Sequence, residues 1–193
     1  EGFICSAGHG STFQDKFGNY WHIASMLIGI NHRFERRLGM WPAFFDTDGT
    51  FYTYTAYGDF PHDIPQRKIS SPEDYQPSAM LLSYNKPVEV SSALENHPKE
   101  YATNEDIQNY WSAKTGNPGE WMLIDLQKKC SVSHIQVNFA EEGSVILGQT
   151  KELYYQYQVE CSTDKQHWQV LVDKKNNKTD IVHDFMELEK PVK

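Results

Sequence analysis

The sequence predicts an all-β fold in two parts joined by a proline-rich stretch, and three observations carry that prediction. Strand-length runs recur along the chain, each ended by Gly, Asn, Asp or Pro. No stretch of useful length carries the 3.6-residue period of a helix, and no internal repeat links the two halves. Aromatic residues make up 13% of the 193-residue chain, a weighting that suits β-rich packing.

In the first part, Gly8-His9-Gly10 marks a place where the backbone is free to adopt positive φ and to approach something closely. Strand-like runs follow over residues 10–14, 19–27, 37–46 and 50–55. The first two are separated by the turn residues Asp15-Lys16-Phe17-Gly18-Asn19. The last two are separated by Asp46-Thr47-Asp48-Gly49, where Asp-Gly suits a tight hairpin. That run lacks the later ligands and closing Glu of a calcium-binding loop, so it reads as a surface turn. Four consecutive antiparallel strands are what one β-propeller blade is made of, and a blade buries both faces against its neighbours. The expectation is therefore a blade over residues 1–60 in a chain that is incomplete at its N-terminus.

A connector is expected over residues 61–83. Five of the nine prolines (Pro61, Pro65, Pro72, Pro77 and Pro87) fall in or beside it, among polar residues without a sustained period. Ile64, Ile69, Tyr75, Met80, Leu81 and Leu82 are candidates to anchor it on the first part's surface, so it is not read as a free linker.

The second part, residues 84–193, holds six further strand candidates: 87–92, 120–126, 133–139, 153–162, 168–173 and 181–188. Within the fourth, Gln158 and Glu160 alternate with Val159 and Cys161, as in a half-buried antiparallel strand. Short strands and turns in this rhythm predict a β-sandwich.

Composition excludes several function classes. The net charge of −8 and a sequence pI near 5.4 argue against nucleic acid or an anionic membrane as main partner. No apolar run approaches the ~18–20 residues that cross a bilayer as a helix. Cys5, Cys130 and Cys161 have no zinc or redox spacing, and their odd number leaves at least one free. Cys130 and Cys161, in apolar strand surroundings, are expected as buried free thiols.

Two resemblances sharpen this picture. Gly8-His9-Gly10-Ser11, then Gly18-Asn19-Tyr20-Trp21, then Glu35-Arg36-Arg37-Leu38-Gly39 resemble the last blade of a glycoside hydrolase family 43 catalytic domain. That family is a five-bladed β-propeller that hydrolyses arabinose- and xylose-containing polysaccharides with inversion. Residues 84–193 resemble a discoidin, or coagulation-factor C-type, domain close to carbohydrate-binding module family 32. The resemblance is carried by Ala102-Thr103-Asn104-Glu105-Asp106, Tyr110-Trp111-Ser112-Ala113, the run from Gly119 to Leu126, and Tyr157 to Asp164 followed by Trp168. The arginine-tyrosine strand that usually closes that sandwich does not occur before Lys193, so both the propeller and the discoidin-like jelly roll are expected to be cut short.

The candidate site residues follow from the resemblances. His9 is implied near the propeller axis, close to a bound calcium or to the sugar pocket. Arg36, with Arg37 and His32 beside it, is implied to line the sugar subsite. A guanidinium suits sugar hydroxyls and depresses a nearby carboxyl pKa. Asn104 and Asp106 lie where related modules hold a structural calcium. Trp121, in an apolar run, and Trp111 are assigned to core and framework. An inverting glycosidase needs an acid and a base about 6.5–9.5 Å apart, and the resemblance places both upstream of residue 1. Glu35, Asp15 and Asp59 do not occupy those positions, so no catalytic residue is assigned and this chain alone is expected to be inactive. No Gly-x-Ser-x-Gly, P-loop or dinucleotide fingerprint occurs.

The expected function is part of an extracellular or periplasmic glycoside hydrolase. Its partners are a poly- or oligosaccharide substrate and the remainder of the propeller, and calcium is a candidate cofactor. The rival expectation is a non-catalytic carbohydrate-binding or adhesion protein. A purely structural scaffold is the third.

Overall fold

The computed structural model describes residues 5–27, 36–53, 63–75, 79–140 and 154–192. These form two compact units, Glu1–Ile124 and Asp125–Lys193. The described residues contain strands and short 3₁₀ turns at Pro72–Asp74 and Lys99–Ala102 but no α-helix. They also contain no helix long and apolar enough to cross a membrane.

The first unit opens with the four-stranded antiparallel sheet expected over residues 10–55. Its strands are β1 (Cys5–Gln14), β2 (Tyr20–Leu27), β3 (Arg36–Phe45) and β4 (Phe51–Thr53), in the order β1-β2-β3-β4. The β1–β2 turn closes because the Asp15 carboxylate accepts four hydrogen bonds. The donors are the Phe17 and Asn19 backbone N–H groups at 2.8 and 2.9 Å, Asn19 Nδ2 at 3.1 Å and the Trp21 indole N–H at 2.9 Å. Burial works to raise the Asp15 carboxyl, but the bonds from Trp21, Asn19 and Phe17 together outweigh it and hold the group below its ordinary value.

Asn19, only 1% exposed, also fastens the proline-rich stretch. Its side chain donates to the Arg67 carbonyl and accepts from Ile69 N–H, both at 2.8 Å. Lys68 Nζ donates to the Gly18 carbonyl. Ile69 and Tyr75 then join Trp21 and Phe44 in one buried cluster, with the Trp21 and Tyr75 rings edge to face at 6.1 Å. The connector thus lies on the sheet, but two of six expected anchors do the burying. Ile64, Met80 and Leu81 are exposed and Leu82 is half-buried, because the Asn19 bridge fixes the chain at residues 67–69.

Further along this unit, β5 (Val88–Val90) pairs antiparallel with β6 (Met122–Ile124). Glu120 holds the loops around that pair together. Its carboxylate accepts from the hydroxyls of Ser91, Ser92 and Thr115, and these donors, in that order, hold its carboxyl at about 2, below the ordinary 4.5. The Trp111 indole N–H donates to the Ser92 carbonyl at 3.0 Å, a framework role as expected. Trp121 is a correction: it is 50% exposed and outside the core, because among the described residues β6 pairs with a single three-residue strand.

Among its described residues the second unit has two antiparallel pairs, β7 (Val132–Asn138) with β10 (His183–Val192) and β8 (Gln158–Cys161) with β9 (Gln169–Asp173). All six strand candidates of the second part are present with shifted bounds. The buried Asp184 on β10 accepts from Tyr157 Oη at 2.7 Å and from Lys174 Nζ, which links the pairs. Burial, then the bond to Asp184, raises the Tyr157 phenol. Phe139 stacks on Tyr155 at 3.9 Å in the same interior. Cys130 and Cys161 are free as expected, but half-buried rather than buried.

Candidate functional site

The four-stranded sheet carries an irregularity at Gly8-His9-Gly10. Gly8 pairs with Ser25 and Ser11 with Ile23, so β1 spends one residue more than β2 over that span. Such a bulge re-aims the side chains beside it. His9 takes φ +52° and is exposed. A non-glycine residue in the left-handed region costs conformational energy and persists where the surroundings impose it. The flanking glycines do not take the positive φ expected of them. Gly10 serves close approach instead, since a Cβ there would lie 2.5 Å from Nε2 of His22.

Beside the bulge lies a recess of about 210 Å³ lined by Gly8, Gly10, His22, Ala24, Trp41 and Thr53. Register explains the grouping: Thr12, His22 and Trp41 are successive cross-strand partners and face the same side. The imidazole of His22 bonds Thr12 Oγ1 at 3.1 Å through Nδ1. Trp41 reaches the recess by crossing Gly39, where a Cβ would fall 2.2 Å from its ring. His22 and Trp41 were not singled out from the sequence. For Trp41 the signal was Gly39 two residues before it on the same strand; for His22 it was Gly10 on the adjacent strand, which only the register reveals.

Arg36 and Arg37 open β3 opposite Leu27 and Met26, at the same end of the sheet as the bulge. The backbone thus brings the His9 strand and the arginine strand to one end, on either side of β2. His32 and Glu35 lie outside the described residues.

The loop with Asn104 and Asp106 closes on itself. Asn104 Oδ1 accepts from Asp106 N–H, and Asp106 accepts from Gln108 N–H and from Asn109 Nδ2 at 2.9 and 2.7 Å. Asn104 Nδ2 donates to Asn109 Oδ1, and Glu105 takes φ +57°. Calcium takes six to eight oxygens. One carboxylate with both oxygens turned onto its own loop does not by itself make such a site. Among the described residues no group of three His, Cys, Asp or Glu side chains is placed to hold a metal, at His9 or elsewhere.

In the second unit, Asp164 caps its own loop. Its carboxylate accepts from His167 through backbone and ring and from Gln166 N–H, and these bonds, with one from Ser162, depress its carboxyl. The outer face of β7–β10 groups His134 with Glu187, Gln136 with Phe185 and Asn138 with His183 as cross-strand partners.

Neither the curated proteins nor the solved structures compared returned a match to this chain. One family model did: the F5/8 type C domain, over residues 87–193. That match spans β5 to β10 and covers more than half of the sequence. On that ground the chain belongs to the F5/8 type C domain family.

Proposed function

We propose that the F5/8 type C domain is the accessory glycan-binding module of a secreted or periplasmic glycoside hydrolase. The enzyme would act on arabinose- or xylose-containing polysaccharides with inversion, as a xylosidase, arabinofuranosidase or xylanase-like activity. The observation that carries the reading is the order of parts: a four-stranded antiparallel sheet with a Gly-His-Gly bulge precedes a domain of this family. The sheet has the make-up of a propeller blade, and the remainder of the propeller is the partner that would cover its faces. Phe45, Phe51 and Met40 stand exposed on it, as blade faces awaiting neighbours would. In this reading His9, Arg36, Arg37 and His32 contribute to the sugar subsite, and no residue of this chain serves as acid or base. Calcium belongs to the proposal as an ion completed by oxygen donors beyond the described residues.

The test uses the intact polypeptide on aryl arabinofuranoside and xyloside, with product anomers followed by NMR. His9→Ala and Arg36→Ala should each lower kcat/KM by about tenfold to a hundredfold, the worth of a hydrogen bond to a charged group. Unchanged kinetics in both variants would return those residues to a structural role. Calcium titrated into the metal-free protein should give a binding isotherm, and no heat would remove it from the proposal.

A second reading, a non-catalytic carbohydrate-binding or adhesion protein, is favoured by the span of the family match, since residues 87–193 match a binding-type module. Full binding to arabinoxylan without hydrolysis by the intact polypeptide would select it.

A further inference from the structure

The outer face of β7–β10 combines rings and aimed polar groups in a way that neither strand pairing nor core packing requires. Asn138 Oδ1 accepts two hydrogen bonds, from Gln136 Nε2 at 3.0 Å and from Nδ1 of His183 at 3.0 Å. That double anchor fixes the amide so that its nitrogen, on an exposed residue, is left to donate outward. Gln136 holds Asn138 while its own Oε1 is buried with no hydrogen-bond partner among the described residues. Leaving a buried acceptor unmade is a destabilising arrangement that functional sites tolerate.

One position along, Phe185 is 37% exposed and stacks on His134 with centroids 5.4 Å apart and planes 22° from parallel. Glu187, directly opposite His134, places an exposed carboxylate at the far rim. The face therefore runs from an amide donor, across two stacked rings, to a carboxylate acceptor. Asn138 and Glu187 stand four residues apart along the strand pair, roughly 13–14 Å at about 3.3 Å per residue, with Phe185 midway, a span that two linked sugar rings fill.

We propose that this face is a binding site for a neutral glycan. One ring of a linked pair of sugars would lay its C–H face on Phe185 with a hydroxyl accepting from Asn138 Nδ2, and the next ring would donate a hydroxyl to Glu187. The carboxylate and the chain's net charge of −8 disfavour acidic polysaccharides. The site rests on the reading that this protein recognises glycans, and it assigns that recognition to a sheet face.

The experiment is affinity gel electrophoresis of the full chain against arabinoxylan, linear arabinan, galactan and galactomannan, followed by calorimetry on the best of them. Phe185→Ala should weaken binding about tenfold by removing the platform. Asn138→Asp keeps both inward bonds to Gln136 and His183 while deleting the outward donor, and should cost about fivefold or more. Thermal unfolding of each variant checks that the fold is retained. Wild-type affinity in both folded variants, toward a glycan the parent binds, overturns the site while leaving glycan recognition standing. Absence of binding to every glycan by the parent chain overturns the recognition itself and the site with it.

Discussion

Replacing Asp15 by Asn is the most direct probe of how this chain holds its first sheet. The side chain keeps its shape but has one carbonyl oxygen where the carboxylate has two acceptors. Asp15 receives two backbone N–H groups on Oδ1 and two side-chain N–H groups, from Trp21 and Asn19, on Oδ2. An amide serves one pair and turns an NH₂ toward the other. The backbone donors in the turn can rehydrate, but Trp21 and Asn19 are 2% and 1% exposed and cannot. A buried donor left unmade costs about 1–3 kcal/mol, so orphaning two predicts a loss of about 2–5 kcal/mol. The two-unit chain makes a single global unfolding energy a poor measure. Hydrogen exchange of residues 15–27 followed by mass spectrometry reports on this sheet alone, and exchange should accelerate about thirtyfold or more. The depressed Asp15 carboxyl adds a sign to the test. The folded state favours the ionised form, so its contribution is present above the unfolded pKa and is lost as pH falls. Wild-type protection should therefore fall on acidification while that of Asp15→Asn changes less. Exchange in the variant within about threefold of wild type at neutral pH would refute the account.

Three further predictions follow from the same geometry. Ile69→Ala opens a cavity among Trp21, Phe44 and Tyr75 and should destabilise the first unit by about 2–4 kcal/mol, visible as faster exchange of residues 63–75; unchanged protection there would mean the connector is held by its polar bonds alone. Gly10→Ala sets a Cβ 2.5 Å from Nε2 of His22, so the imidazole must leave Thr12, at about 1–3 kcal/mol; an unshifted His22 NMR resonance would contradict that crowding. Glu120 has a depressed carboxyl, so its stabilisation is complete above about 4.5 and fades as pH falls toward about 2. The gap in thermal stability between wild type and Glu120→Gln should accordingly narrow from pH 7 to pH 3, and a constant gap would remove the hydroxyl network as its cause.

Much of the strand layout was legible because it depends on local patterns. Gly18-Asn19 after Asp15, and Asp48-Gly49 after Asp46, mark turns whose backbone bonds close at 2.8 to 3.0 Å, whatever lies across the sheet. Trp111 was legible as framework through its resemblance to discoidin domains, although the acceptor of its indole, the Ser92 carbonyl, lies 19 positions away. Trp121 was not: apolar neighbours along the strand say nothing about what lies above its ring, and its half-exposure depends on sheet width. The connector's anchors divided the same way. Six apolar residues looked alike in sequence, and Asn19 chose among them by bonding at residues 67 and 69, a contact some 50 positions away.

The candidate sites show the same boundary. Sequence by itself determined that Gly8-His9-Gly10 is a special backbone position, since two glycines around a histidine are informative through local sterics alone. The tertiary structure decided that His9, not a glycine, takes the positive φ, and that Gly10 exists to let His22 pass. Likewise, strand-length runs at 133–139 and 181–188 marked two strands in the sequence. Register alone decided that Phe185 meets Gln136, that Glu187 meets His134, and that two donors converge on Asn138. The reason is physical: backbone sterics and strand period act over a few residues, whereas a one-residue slip in pairing exchanges every side-chain neighbour on a face.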